Sequence, residues 1–188
     1  MISIEPEAIV IGASAGAIEA LSVILPALPR DFRMPILVVV HIPSDKRSAI
    51  ADLFRAKCQL FVDEAEDKEP ISAGKIYFAP PDYHLLVEIG KTISLSSDEP
   101  VLFSRPSIDV LFESAADAFG QALIAIVLTG ANHDGARGLR AVAEAGGLAL
   151  VQDPSTAFAS TMPEAAIQMC PSAQIMSLGT LAEYLKEV

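Results

Sequence analysis

The chain has 188 residues, with 24 acidic against 13 basic side chains and a net charge of −11, which argues against a nucleic-acid surface or an anionic-membrane surface. Trp is absent and aromatics are 6%, so no base-stacking platform is expected. At 52% hydrophobic and 20% charged, residues 1–188 are expected to fold as one domain around a sizeable core.

Ala8–Ile11 is a short apolar run ending at Gly12 and reads as a strand. A helix is predicted from about Ala15 to Leu25, with Ile18, Leu21 and Leu25 on its apolar face and Pro26 and Pro29 ending it. Ile36–Val40 is β-branched and suits a strand buried on both faces; it stops at His41-Ile42-Pro43. Ser44 is placed as the N-cap of a helix running to about Lys57. Gln59–Val62, Lys75–Phe78, His84–Ile89 and Thr92–Ser96 are strand-like, the last two forming a hairpin that turns at Gly90-Lys91. The acidic stretch from Asp63 to Glu69 reads as solvated loop. Pro106 takes the first position of a helix carrying Val110, Leu111, Ala115, Ala118 and Phe119 inward and closing at Gly120. Ala122–Leu128 is the longest apolar run, strand-sized and far short of the ~20 residues of a membrane helix. A helix from about Gly135 to Ala145, a strand at Leu148–Val151, a helix opened by Pro163-Glu164 and running to Met169, and a helix over Leu178–Glu187 complete the reading.

Buried strands alternating with helices predict an α/β fold. The expected form is a doubly wound, mostly parallel sheet with helices on both faces, and an antiparallel hairpin extending one edge. Cys58 and Cys170 form neither a disulfide framework nor a metal motif, and the three histidines lack metal-ligand spacing, so no cofactor or metal is expected. No basic region precedes an N-terminal apolar stretch, so a cytoplasmic location without membrane insertion is expected.

In such sheets ligands sit beyond the carboxyl ends of the strands, near a switch in strand order. Those ends supply a serine, a histidine and an aspartate. Gly12-Ala13-Ser14-Ala15-Gly16 fits GxSxG, a sharp strand-to-helix turn that lifts a hydroxyl above the sheet. His41 ends the next strand and has the chemistry of a general base. Asp134 follows a small-residue loop after Leu128 and can orient an imidazole. Taken singly, Ser14 and Asp134 read equally well as helix caps, and His41 as a structural histidine.

Further motifs join these. They are Ile76-Tyr77-Phe78-Ala79-Pro80-Pro81-Asp82-Tyr83-His84, Arg105-Pro106-Ser107-Ile108-Asp109-Val110-Leu111-Phe112, and Met162-Pro163-Glu164-Ala165-Ala166-Ile167. In this order, over residues 8–185, the chain resembles the catalytic domain of the chemotaxis protein-glutamate methylesterase (CheB) family. The resemblance implies hydrolysis of glutamate methyl esters on chemoreceptors with release of methanol, and deamidation of certain glutamines. It implies Ser14 as nucleophile, His41 as base and acid, and Asp134 as orienter. The backbone at Ala15, Gly16 and Ala131 would face the oxyanion, and Arg105 is either a surface residue at the helix entry or a substrate-facing cation. A methylated chemoreceptor-like protein would be the substrate. Family members usually carry a receiver domain; none is expected in residues 1–188, so a separate receiver or phosphorelay partner would supply regulation. Ala15-Gly16-Ala17 replaces the family's usual Thr-Gly-Gly, and Ala131-Asn132-His133 its Met-Gly-Asn.

Two other readings stand beside this one. A dinucleotide-binding module would share the strand, turn and helix, but Gly12-x-Ser14-x-x-Ala17 lacks two of the three glycines of the fingerprint. A non-catalytic signalling domain would keep the fold and lack a working set of side chains.

Overall fold

The computed structural model describes residues 5–41 and 49–188. Its centre is β1 (Ala8–Ala13), whose side chains are all buried. Strand alternation sends Ile9, Ile11 and Ala13 to one face and Ala8 and Val10 to the other. β2 (Ile36–Val40) pairs parallel with β1, Ala13 beside Val40. β3 (Phe61–Glu64) and β4 (Lys75–Phe78) continue that side, while β7 (Leu123–Val127), β8 (Leu148–Gln152) and β9 (Gln174–Met176) extend the other. The order is β3-β4-β2-β1-β7-β8-β9, a seven-stranded sheet with every pairing parallel. The chain builds outward through β2 and β4, then returns to the far side of β1 at β7. The reversal therefore falls at β1, whose carboxyl end is Ala13.

Two hydrophobic layers cover the sheet. One holds α1 (Ala17–Ile24), α2 (Ile50–Lys57) and α6 (Leu178–Glu187). The other holds α3 (Ile108–Phe119), α4 (Ala136–Glu144) and α5 (Thr161–Met169). Phe54 of α2 is fully buried and stacks on Phe78 of β4, ring centroids 5.5 Å apart. Phe54→Ala is expected to cost about 3–5 kcal/mol. In a chain of this length that lowers the melting temperature by roughly 10 °C, readable in a thermal melt.

The doubly wound sheet agrees with the sequence reading, and several details differ. The hairpin of β5 (His84–Val87) and β6 (Ile93–Ser96) is a separate two-stranded sheet, not an extension of the main edge. It buries Leu85, Val87 and Ile93 in the α3 layer, and Ser114 Oγ of α3 accepts the Val87 N–H at 3.0 Å. On α1 the buried stripe is Ala17, Ala20, Leu21 and Ile24, so Ile18 faces solvent. β3 starts two residues after the predicted strand; it pairs only with β4, and Phe61 points outward. β9 was not foreseen, being three residues long with little buried. α3 begins at Ile108 rather than Pro106, because Ser107 Oγ accepts the Val110 N–H and acts as the cap. The predicted Ser44 cap lies outside the described residues.

Candidate active site

Ser14 stands where β1 leaves the sheet, between its two neighbours. Its N–H donates to Thr129 O at 2.9 Å, and the His41 N–H donates to Ala13 O at 3.1 Å. The next step of the β1–β2 register beyond Ala13 and Val40 is thus Ser14 beside His41. Leu37 and Val39 face the α3 layer, and His41 continues that parity. Gly12 lies under α3, and a Cβ there would overlap Ile108 Cγ2. Gly12→Ala is therefore expected to destabilise by about 1–3 kcal/mol. Ile108→Ala in the same chain should relieve part of that loss, which a double-mutant cycle of melting temperatures measures.

Asp134 is fully buried, and α3 explains how its charge is held. Its Oδ1 accepts the Ser107 hydroxyl at 2.9 Å and the Asp109 N–H at 2.9 Å. Its Oδ2 accepts the Ile108 N–H at 2.6 Å and His41 Nε2–H at 2.8 Å. The carboxylate thus occupies the N-terminus of α3, where unpaired N–H groups and the helix dipole favour negative charge. Burial works to raise its pKa, but the bonds from His41, Asp109 and Ile108 outweigh it and leave Asp134 below the ordinary aspartate value.

With Nε2–H directed at Asp134, His41 keeps its lone pair on Nδ1. Asn132 Nδ2 lies 3.3 Å from that nitrogen. Asn132 Oδ1 accepts the Asp134 N–H at 3.0 Å, an Asx turn that fixes which end of the amide faces the imidazole. Among the described residues Ser14 Oγ has no hydrogen-bond partner. The structure therefore joins His41 to Asp134 and sets Ser14 beside them without a bond to the ring.

The turn after Ser14 is shaped for close approach. Ser14 O accepts the Ala17 N–H at 3.0 Å, and Gly16 has φ 83°, a left-handed conformation suited to glycine. A Cβ on Gly16 would lie 2.6 Å from Phe158 Cβ, so Phe158, itself exposed, borders the turn. Thr129 Oγ1 donates to Ala15 O at 2.8 Å and accepts the Ala159 N–H at 2.9 Å, tying three segments together. Among the described residues the N–H groups of Ala15, Gly16 and Ala131 have no protein acceptor. Arg105 Nη1 donates to the carbonyls of Ser97 and Asp98 at 3.0 and 3.1 Å. It braces that loop. His133 is an exposed loop residue.

Ser107, Asp109, Asn132 and His84 were missed as parts of the site. His84 Nδ1 accepts the Ser107 N–H at 3.2 Å, and its Nε2 donates to Glu99 O at 3.0 Å, so it steadies the start of α3. Asn two residues before Asp in a small-residue loop was a readable Asx signal. A serine and an aspartate bracketing the first helical turn after Pro106 were a readable capping signal. Among the described residues no group of three or more His, Cys, Asp or Glu side chains is arranged to hold a metal ion.

A parallel doubly wound sheet with a GxSxG turn, an imidazole and a buried carboxylate at its central strand ends defines an α/β enzyme domain of hydrolase type. The CheB methylesterase family profile matches residues 9–185. A Leptospira interrogans chain, provisionally named protein-glutamate methylesterase/protein-glutamine glutaminase, is 50% identical over 177 residues, covering 94% of this chain and 92% of that one. A Trichodesmium erythraeum protein with the same double name is 34% identical over 97% of this chain, which spans 53% of that longer protein. The crystal structure of the Thermotoga maritima CheB methylesterase catalytic domain matches with a TM-score of 0.91 and 32% identity, over 98% of this chain and 99% of that one. The chain belongs to the CheB methylesterase family.

Proposed function

We propose that the domain hydrolyses methyl esters of glutamate side chains on a methylated chemoreceptor-type protein, through Ser14, His41 and Asp134. The observation that carries this is the His41–Asp134 bond of 2.8 Å at the end of the strand next to Ser14. Because Asp134 takes Nε2–H, Nδ1 is the general base. That is the reverse of the orientation in which Nδ1–H faces the acid. It suits a histidine whose backbone is already bonded to Ala13, since the nitrogen nearer the main chain then lies nearer the neighbouring strand.

In the reaction Ser14 Oγ attacks the ester carbonyl and its proton passes to Nδ1. The oxyanion is received by N–H groups of the Ser14 turn and of Ala131, one such donor being worth about 3–4 kcal/mol. Collapse expels methoxide, which takes the proton from His41 and leaves as methanol. Water activated by Nδ1 then cleaves the acyl-enzyme to the glutamate carboxylate and restores Ser14. A glutamine side chain follows the same route with ammonia leaving. The gap between Ser14 Oγ and the ring is in keeping with a substrate-free site, where catalytic hydrogen bonds are often long.

The double name of the relatives supports both activities, and the family supports a cytoplasmic signalling role. No helix among the described residues is long and apolar enough to cross a membrane. A receiver domain or phosphorelay partner fits as the source of regulation. The test is methanol release from a methylated receptor fragment, with ammonia release measured in parallel. Absence of both under Ser14-dependent conditions overturns the reading in favour of a non-catalytic signalling domain.

A further inference from the structure

α3 and α4 each lend an acid to the other. Asp134, just ahead of α4, accepts two N–H groups at the start of α3. Asp109, in the first turn of α3, accepts the Gly135 N–H at 3.0 Å and the Gly138 N–H at 2.7 Å on the same oxygen, at the start of α4. Gly135 follows Asp134 directly. The Asp109 side chain therefore holds the peptide that leaves Asp134, while its main-chain N–H holds the Asp134 carboxylate. The helices touch here: a Cβ on Gly138 would lie 2.6 Å from Phe112 Cβ and 3.0 Å from Asp109 Cα. Gly135 has φ 97°, a left-handed conformation suited to glycine, and as a glycine it places no side chain beside this peptide.

We propose that Asp109 is a positioning residue for the Asp134–His41 pair, fixing the acid through the Gly135 peptide and the α4 N-terminus. The inference rests on the catalytic reading of Ser14, His41 and Asp134. Burial pushes the Asp109 carboxyl up to about 6; the Gly138 N–H opposes this, and the charge of Asp134 adds to it. Arg137 of α4 lowers it and Glu113 of α3 raises it. His133 and Glu164 of α5 border the cavity of about 740 Å³ that Asp109 also lines.

The experiment compares the wild type with Asp109→Ala, Asp109→Asn and Ser14→Ala in methanol release across pH 5–9, with melting temperature recorded for each. Asp109→Ala is expected to lower kcat by about tenfold or more while KM stays within about threefold. Asp109→Asn keeps an oxygen acceptor for Gly135 and Gly138 but not the charge. It is expected to restore most of kcat near pH 8 and to move the acid limb of the kcat/KM profile to lower pH by about half a unit, since a negative charge near the Asp134–His41 pair is lost. Its stability should also change less with pH: the raised Asp109 favours the fold below the ordinary aspartate range, and that advantage is lost as pH rises through about 6. A folded Asp109→Ala enzyme with wild-type kcat overturns the proposal. If that variant does not fold, a folded Asp109→Ser enzyme, whose shorter side chain does not reach the Gly135 N–H, with wild-type kcat overturns it. Wild-type turnover equal to Ser14→Ala removes the catalytic reading itself, a result distinct from either.

Discussion

Ser14→Ala is expected to reduce methanol release by roughly 10⁴-fold or more, leaving the melting temperature close to that of the wild type. The two halves of that expectation have separate causes. The Ser14 main chain makes the bonds that build the turn, to Thr129 and Ala17, and these survive the change. Its hydroxyl has no partner among the described residues, so its removal leaves no buried group unpaired. A surface-accessible substitution of that kind usually stays within about 0.5 kcal/mol. On the proposed mechanism the chemical loss is large, because Ser14 Oγ is the atom that forms the acyl bond. The N–H donors remain, so slow water-driven hydrolysis above the uncatalysed rate persists. Mass spectrometry of a trapped intermediate gives the independent check: the wild type gains one acyl group and the variant none. Activity within tenfold of the wild type would sink the assignment.

Asp134→Ala is expected to be damaging on both counts. Four donors lose their acceptor at once: the Ser107 hydroxyl, the Ile108 and Asp109 N–H groups, and His41 Nε2–H. Leaving such buried donors unpaired costs about 3–5 kcal/mol. Activity should fall by about 10⁴-fold, since the imidazole loses both its orientation and its counter-charge. Asp134→Asn separates the effects. It keeps one acceptor oxygen but turns an amide N–H₂ toward at least one donor, so it should recover part of the stability and little of the activity. The pH dependence has a definite sign. The depressed pKa of Asp134 means its stabilisation is present above the ordinary aspartate range and disappears as pH falls through the lowered folded-state value. The gap in melting temperature between wild type and Asp134→Ala should therefore narrow toward acid. A gap independent of pH would show that the carboxylate charge contributes nothing to the fold.

The central strands were legible because burial on both faces leaves a compositional trace. Ile36–Val40 matches β2 to the residue, and Ala122–Leu128 brackets β7. Helix faces were less so. Ile18 looked like core by spacing alone, whereas the smaller Ala17 and Ala20 lie against the sheet, where the backbones come close. The hairpin's own pairing was legible, β5 with β6 through the Gly90-Lys91 turn, but its placement was not. A strand does not state its partner, and β5–β6 found α3 instead of the sheet edge. At the site, the strand-end rule pointed to Ser14, His41 and Asp134 because position in the topology, not residue type alone, singles them out. The contribution of α3 stayed hidden for a simple reason. Ile108 and Asp109 act through main-chain N–H groups, and every non-proline residue has one.

The crossed arrangement of α3 and α4 has a consequence for the chain while it is still being made. The Asp134 carboxylate is not aimed by its own segment: the N–H donors of Ile108 and Asp109 that hold it come from some 25 positions earlier in the chain. On the proposed reading the Asp134–His41 pair is complete only once α3 is in place, so ester cleavage would not precede the docking of that helix.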